Sequence, residues 1–493
     1  MSDPLLLAYD LGTTALKATL IDAEGNLRAA AERSYPTRHN GRSVEQHPQD
    51  WWSCVCASTQ ELASAHPQDV QRVAAIGVCG HMSGCLALGA HGEPLAPAMT
   101  HADSRARAQA RRIADAIGAQ PLYQRTGCIL DPKNTLCKIL WMRENLPDIY
   151  RRTAFFVQSK DYLAFQLTGN MDTTDFSDAS HAMLMDIHAR RYLDAELREL
   201  GLDADKLPAL HRSTEVIGTL TEAAAAQLGL RSGIPVVAGG GDGACATAGA
   251  GVSQPGDIYC SLGTTAWITR VSAQAVIDPQ ARIFDILSLN GDSFGVFGTM
   301  QTAGRALSWA RDLFGLESME QMNALAANAP AGSDGLVFLP YLEGERSPVF
   351  DSNARGVFLG ASVEHGREHF LRAVLEGTAY ALRSILEVYR DDARVERLRV
   401  IGGGTRSPEW LRILADICQI ELETVGENAT GQTALGAAVA AGVGAGIYED
   451  LRAAERFIRP QSLVQPDAGK ADVYEAGFRK YMRLYPSVKD LFE

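Results

Sequence analysis

Asp10-Leu11-Gly12-Thr13-Thr14, read together with its near-repeat Ser261-Leu262-Gly263-Thr264-Thr265, decides the fold. The first copy follows the apolar run Leu5-Leu6-Leu7-Ala8-Tyr9, and the string Leu-Gly-Thr-Thr-Ala stands at both 11–15 and 262–266. In each place a β-like run enters a glycine turn and another leaves it. Either turn alone reads as an ordinary hairpin in which Gly supplies a positive φ. Two in matching contexts, one near the start of each half, point to a duplicated domain. A turn of Gly and Thr offers backbone N–H groups and hydroxyls, the donors that a phosphate chain needs.

At 493 residues the chain is long enough for two large domains, and 46% hydrophobic with 21% charged residues is a globular composition. A net charge of -13 argues against a nucleic-acid partner, which asks for a basic stripe. An anionic ligand would have to be met locally, by metal, helix ends and backbone amides. The N-terminal apolar run is short, lacks basic residues before it and ends in Asp10, so it reads as a first strand and no membrane partner is expected. The nine cysteines include no Cys-x-x-Cys pair, and Cys54 and Cys56 lie in a helix-like stretch; reduced thiols and a cytoplasmic location are expected.

Taken in order, Lys17–Ile21 and Leu27–Glu32 continue a meander, Gln46–Ala65 turns helical, and Val73–Val78 is a buried strand ending in Gly80-His81-Met82-Ser83-Gly84. Side chains at such a strand end face the crevice where α/β folds bind ligands. Asp103-Ser104-Arg105 and Asp175 to Ser180 read as polar loops, and Lys160-Asp161-Tyr162 opens an apolar helix. Each is an ordinary loop or cap unless the three converge. Ile234–Ala238 is a strand followed directly by Gly239-Gly240-Gly241-Asp242-Gly243, which presents Asp242 where a ligand can approach closely. The boundary between halves falls in the small-residue stretch that ends at Pro255-Gly256. Phe370 to Tyr389 has helical period; Leu398–Ile401 is a strand, Gly402–Gly404 a glycine-rich turn, and Ser407 with Pro408 a helix start.

These motifs, with Leu339-Pro340-Tyr341-Leu342-Glu343-Gly344-Glu345-Arg346-Ser347-Pro348 and Gly356-Val357-Phe358-Leu359-Gly360, resemble the FGGY family of carbohydrate kinases over essentially the whole chain. Within it the chain is most similar to members that phosphorylate xylulose. The resemblance implies an α/β, actin-like (ribonuclease H-like) duplicated two-domain fold with an ATP cleft between lobes. Residues 1–245 would carry the sugar pocket, the first phosphate turn and the catalytic Asp, and residues 246–493 the second turn and the adenosine site. It further implies that Gly12, Thr13, Thr14 and Lys17 meet the terminal phosphates from one side and Gly263 and Thr264 from the other. Asp10 would hold Mg²⁺, Gly403, Gly404 and Ser407 would line the adenosine end, and the protein would be a homodimer. Asp242 matches the catalytic Asp, which accepts a proton from the substrate hydroxyl.

The sugar pocket departs from the family pattern. Where relatives that take xylulose carry Met-His, this chain has Met82-Ser83 with His81 before them, and His101 stands where a Trp is usual. His81, Met82, Ser83 and Asp103 are carried over as substrate contacts. A ketopentose such as D-xylulose is the expected acceptor, with ribulose, erythritol or gluconate as alternatives. Glycerol kinases carry an Arg-Glu pair in this loop that is missing here. An actin-like ATPase without a sugar substrate would share both turns but would not be expected to carry Asp242 in this setting. A silent sensor would have lost Asp10, Thr13 or Asp242, and all are present.

Overall fold

The computed structural model describes residues 3–390, 395–426 and 431–492. Two sheets carry the molecule, and they repeat one plan. In the first, Leu5–Leu11, Ala15–Asp22 and Leu27–Ser34 form an antiparallel meander. Val73–Gly80 then adds parallel to Leu5–Leu11, Pro235–Val237 adds parallel to that, and Val216–Thr219 closes the edge antiparallel. In the second, Ile258–Leu262, Ala266–Ser272 and Phe294–Met300 form the meander, with Phe284–Leu287 added outside it. Arg397–Ile401 and Glu421–Val425 follow in parallel, and Pro460–Val464 closes antiparallel. The matching strand order is the structural counterpart of the repeated Gly-Thr-Thr string.

The first strand is central, with neighbours on both sides, which is why its run Leu5–Tyr9 is continuously apolar and fully buried. The two hairpins differ in one respect. Leu11 pairs with Leu16, whereas Leu262 pairs with Ala266, so the first turn is one residue longer for the same sequence.

Helices join the sheets. Gln432–Gly444 belongs to the chain's second half, yet it packs on the first sheet: its Ala434, Leu435, Ala437 and Ala438 share one core with Leu6, Ala8, Ala75 and Val237. It crosses Asp242–Gly249 at backbone contact. A Cβ on Gly436 would stand 1.9 Å from the Cys245 carbonyl oxygen, and one on Gly249 would stand 1.8 Å from that of Gln432. Small residues at this crossing let the helix that begins at Asp242 lie flush against it. No helix among the described residues is long and apolar enough to cross a membrane.

One local expectation changes. Asp175 to Ser180 is not a loop: Phe176–His181 is helical, because the Asp175 side chain accepts from Ser177 N and Asp178 N and so caps it. Gly240–Gly241, in the glycine run before Asp242, is strand, paired with Cys79 and Gly80. Ser407 caps Pro408–Cys418 as expected, accepting from Trp410 N.

Candidate active site

The site lies at the carboxyl edge of the first sheet. Asp10 and Gly240 flank Cys79 from opposite sides, so Asp10 and the strand leading to Asp242 end at one level. With strands about 4.8 Å apart, Asp10 and Gly240 are separated by roughly 10 Å. Gly239 makes the close approach possible: its φ is +67, and a Cβ there would stand 1.9 Å from Val78 O. Asp242 then opens the helix Asp242–Gly249 and accepts from Gly243 N at 2.8 Å. Burial, then the charge of Asp10, push the Asp242 carboxyl up to about 7. Asp10 is pushed up to about 6, chiefly by burial, against a weak Cys79 Sγ–H donor at 3.5 Å and the nearby Lys17 ammonium, both of which favour the anion.

The first turn is braced from behind. Tyr35 OH donates to Gly12 O, Gln46 Nε2 to Thr13 O at 2.8 Å, and Tyr35 N to Thr14 O at 3.1 Å. Carbonyls held by the domain leave the turn's outer face to N–H groups and to the exposed Thr13 and Thr14 side chains. Lys17 lies opposite Asp10 on the neighbouring strand, with its Nζ 3.8 Å from the Cβ position of Gly431 at the start of Gln432–Gly444. The second turn is braced by the helix Gly304–Leu313, whose Gly304 N donates to Gly263 O and Arg305 N to Thr264 O. Thr264 is exposed, like its counterpart Thr13. Gly402 and Gly404 pack on Leu262 beside this turn, and Gly403 is exposed. Ser407 is buried, with its hydroxyl engaged in the helix cap.

His81 and Met82 come to the same edge. His81 N donates to Leu11 O, and the Met82 side chain lies against Gly241, where a Cβ would meet its Sδ at 2.5 Å. Both His81 ring nitrogens are buried without a hydrogen-bond partner, as are His101 Nδ1 and Gln158 Oε1. The His81 and His101 rings are 6.1 Å apart. Burial above all, then neighbouring positive charge, lowers His81 to about 3 and His101 to about 4, so both are neutral. Unpartnered buried nitrogens beside the Asp242 strand are what a polyhydroxylated ligand would satisfy.

Asp103 behaves differently. It is fully buried and accepts from Val44 N and from Arg105 N, Nε and Nη2, so it holds the loop together. Sequence reasoning missed Lys138. Fully buried, it donates to Ser83 O at 2.5 Å and Thr100 O at 2.8 Å, tying the loops of His81 and His101 together. A single Lys inside the apolar run Thr135–Met142 was the available signal. Arg346 stood in a quoted motif without a role; its guanidinium lies 5.8 Å over the Phe284 ring and contributes to the shift of His101.

Asp10 is suited to a divalent cation: burial holds its carboxyl above the ordinary range, its charge in turn raises Asp242, and added positive charge relieves both. Among the described residues no cluster of three or more His, Cys, Asp or Glu could hold a metal by itself. That is compatible with Mg²⁺, which is commonly bound through one or two carboxylates plus substrate phosphates.

Two sheets of matching topology, each with a Gly-Thr turn after its first central strand, define an actin-like ATPase fold. Models of the N-terminal and C-terminal domains of the FGGY family of carbohydrate kinases match residues 5–249 and 258–445. The chain belongs to that family, whose members use ATP. It is 33% identical to xylulose kinase of Bacillus subtilis (strain 168) over 490 residues, 99% of this chain and 97% of the relative. It is 29% identical to gluconokinase of the same strain, over 88% of this chain and 86% of the relative. The structure of ligand-bound xylulose kinase from Lactobacillus acidophilus superposes with a TM-score of 0.94 at 26% identity, covering 99% of each chain.

Proposed function

We propose that the protein transfers the γ-phosphate of ATP to a hydroxyl of a small sugar, with a ketopentose such as D-xylulose as the acceptor. The observation that carries this reading is the placement of Asp242 beside Asp10 on one side and the Met82 side chain on the other. In this reading residues 1–245 hold the sugar and residues 246–493 the adenosine. The Asp242 carboxylate accepts the proton of the sugar hydroxyl as that oxygen attacks the γ-phosphorus. Because the transition state is loose, an oriented acceptor matters more than a strong base. Gly12 N and Gly263 N close their turns onto Ala15 O and Thr265 O, so the N–H groups and hydroxyls of Thr13, Thr14 and Thr264 orient the phosphates, and Gly403 and Gly404 border the adenosine. Asp10 would hold Mg²⁺, which supplies charge neutralisation at the phosphates. His81, His101 and Gln158 hydrogen-bond the sugar hydroxyls, while Asp103 and Lys138 shape the loops around them.

A second reading has one specific support. Positive charge from Lys138, Lys133 and Arg346 bears on His101, which favours an acceptor that carries a carboxylate, such as gluconate. Coupled ADP release measured over D- and L-ketopentoses, erythritol, glycerol and gluconate decides between them. The greatest kcat/KM for a ketopentose supports the first reading, and for gluconate the second. ADP release that ignores every sugar removes both.

A further inference from the structure

We propose that Lys160, Asp175 and Ser177 are positioning residues that hold the strand end carrying Asp242, an inference that rests on the kinase reading above. The three polar stretches noted in the sequence do not all open into the sugar pocket. Two of them, at 160–161 and 175–178, converge instead in a closed cluster behind Asp242. Ser177 Oγ accepts from Gly241 N at 2.9 Å, on the residue directly before Asp242. The same hydroxyl donates to Asp175 Oδ2 at 2.6 Å, an oxygen that also accepts from Ser213 Oγ at 2.6 Å. Asp175 Oδ1 faces Lys160 Nζ at 3.0 Å. Lys160, Asp175 and Ser177 are each fully buried.

The Lys160 ammonium is shared further, with Asp161 at 2.5 Å and Asp178 at 3.4 Å. Neither oxygen of the buried Asp178 has a hydrogen-bond partner. One cation among three buried carboxyl groups would leave a net negative charge out of water if all were ionised, which is strongly unfavourable. Desolvation accordingly pushes Asp178 well above the ordinary carboxylate range. An ion cluster without a ligand opening, joined by one hydroxyl to the peptide preceding Asp242, is a brace for that peptide. It fixes the direction in which the helix Asp242–Gly249 leaves the sheet, and hence where the Asp242 carboxylate points.

Ser177→Ala tests this with little change of volume. It removes the acceptor of a buried N–H, and a misplacement near 1 Å at a reacting group lowers turnover about 100-fold. The expected result is a loss in kcat of about 10–100-fold for the preferred sugar, with KM for ATP close to wild type and the melting temperature lowered only by the few degrees that one unpaired buried N–H costs. Amide hydrogen exchange should accelerate in peptides covering 239–243 and not elsewhere. Unchanged kcat with unchanged exchange overturns the proposal, and so does exchange that rises throughout the protein. If the wild type phosphorylates no sugar, the kinase reading fails, while exchange at 239–243 still decides whether Ser177 braces Asp242.

Discussion

Asp10 and Asp242 reach the same edge of the first sheet because Cys79 is the register partner of both Asp10 and Gly240. The two carboxyls therefore share one electrostatic environment. Burial puts both above the ordinary range, Asp10 to about 6 and Asp242 to about 7, and the charge of Asp10 adds to the rise at Asp242.

Asp242→Asn should lower kcat by about 10²–10⁴-fold while ATP binding is retained, since the amide keeps the shape but accepts no proton. Stability should move the other way. A carboxyl whose folded pKa lies above its unfolded 3.8 favours the folded state only while protonated, so its ionisation destabilises progressively as pH rises from about 4 to about 7. The variant should melt at the wild-type temperature near pH 4 and above it at pH 8. Calorimetry at the two pH values checks this.

The acid limb of kcat/KM should have its midpoint near 7, because the base must be ionised and the free site raises it to about 7. The Mg–ATP complex is anionic overall, but a Mg²⁺ held at Asp10 is the nearest added charge and favours both carboxylates. The limb of kcat should therefore lie at lower pH than that of kcat/KM. Coincident midpoints would count against a cation at Asp10.

Lys138→Met keeps the volume of the buried stem and deletes the bonds to Ser83 O and Thr100 O. Ser83 O would lose its donor, which should destabilise the fold by about 1–3 kcal/mol, while Thr100 O keeps the Asp103 N–H. The loops of His81 and His101 should loosen together. KM for the sugar should therefore rise by an order of magnitude or more while KM for ATP holds, as initial-rate kinetics would show.

Gly436→Ala places a Cβ 1.9 Å from Cys245 O, against backbone that cannot swing away. The helices Gln432–Gly444 and Asp242–Gly249 must separate, at a cost of about 1–3 kcal/mol or more. Because the second helix begins at Asp242, kcat should fall along with the melting temperature. An Ala variant at exposed Gly446, where a Cβ meets nothing within 4 Å, controls for general effects, though its φ of +70 makes some strain there expected.

Much of the fold was legible from local signals. Hairpin residues, apolar runs and the Ser407-Pro408 cap depend on a few neighbours in sequence, and the duplicated Leu-Gly-Thr-Thr-Ala string announced two lobes before any contact was known. The same string did not set its own register: Leu11 pairs with Leu16 but Leu262 with Ala266, so identical residues close turns of different length. Long-range convergence was the other thing composition and spacing could not supply. Lys138 reads as one charge on an apolar helix until it is found beneath Ser83 and Thr100, and Lys160 reads as a helix opening until Asp175 and Asp178 close around it. The sequence alone determined which residues could bind phosphate or accept a proton, since those capacities belong to side chains and turns. Tertiary structure decided which of them meet, because burial and pairing between distant segments are set by how the sheets and helices pack.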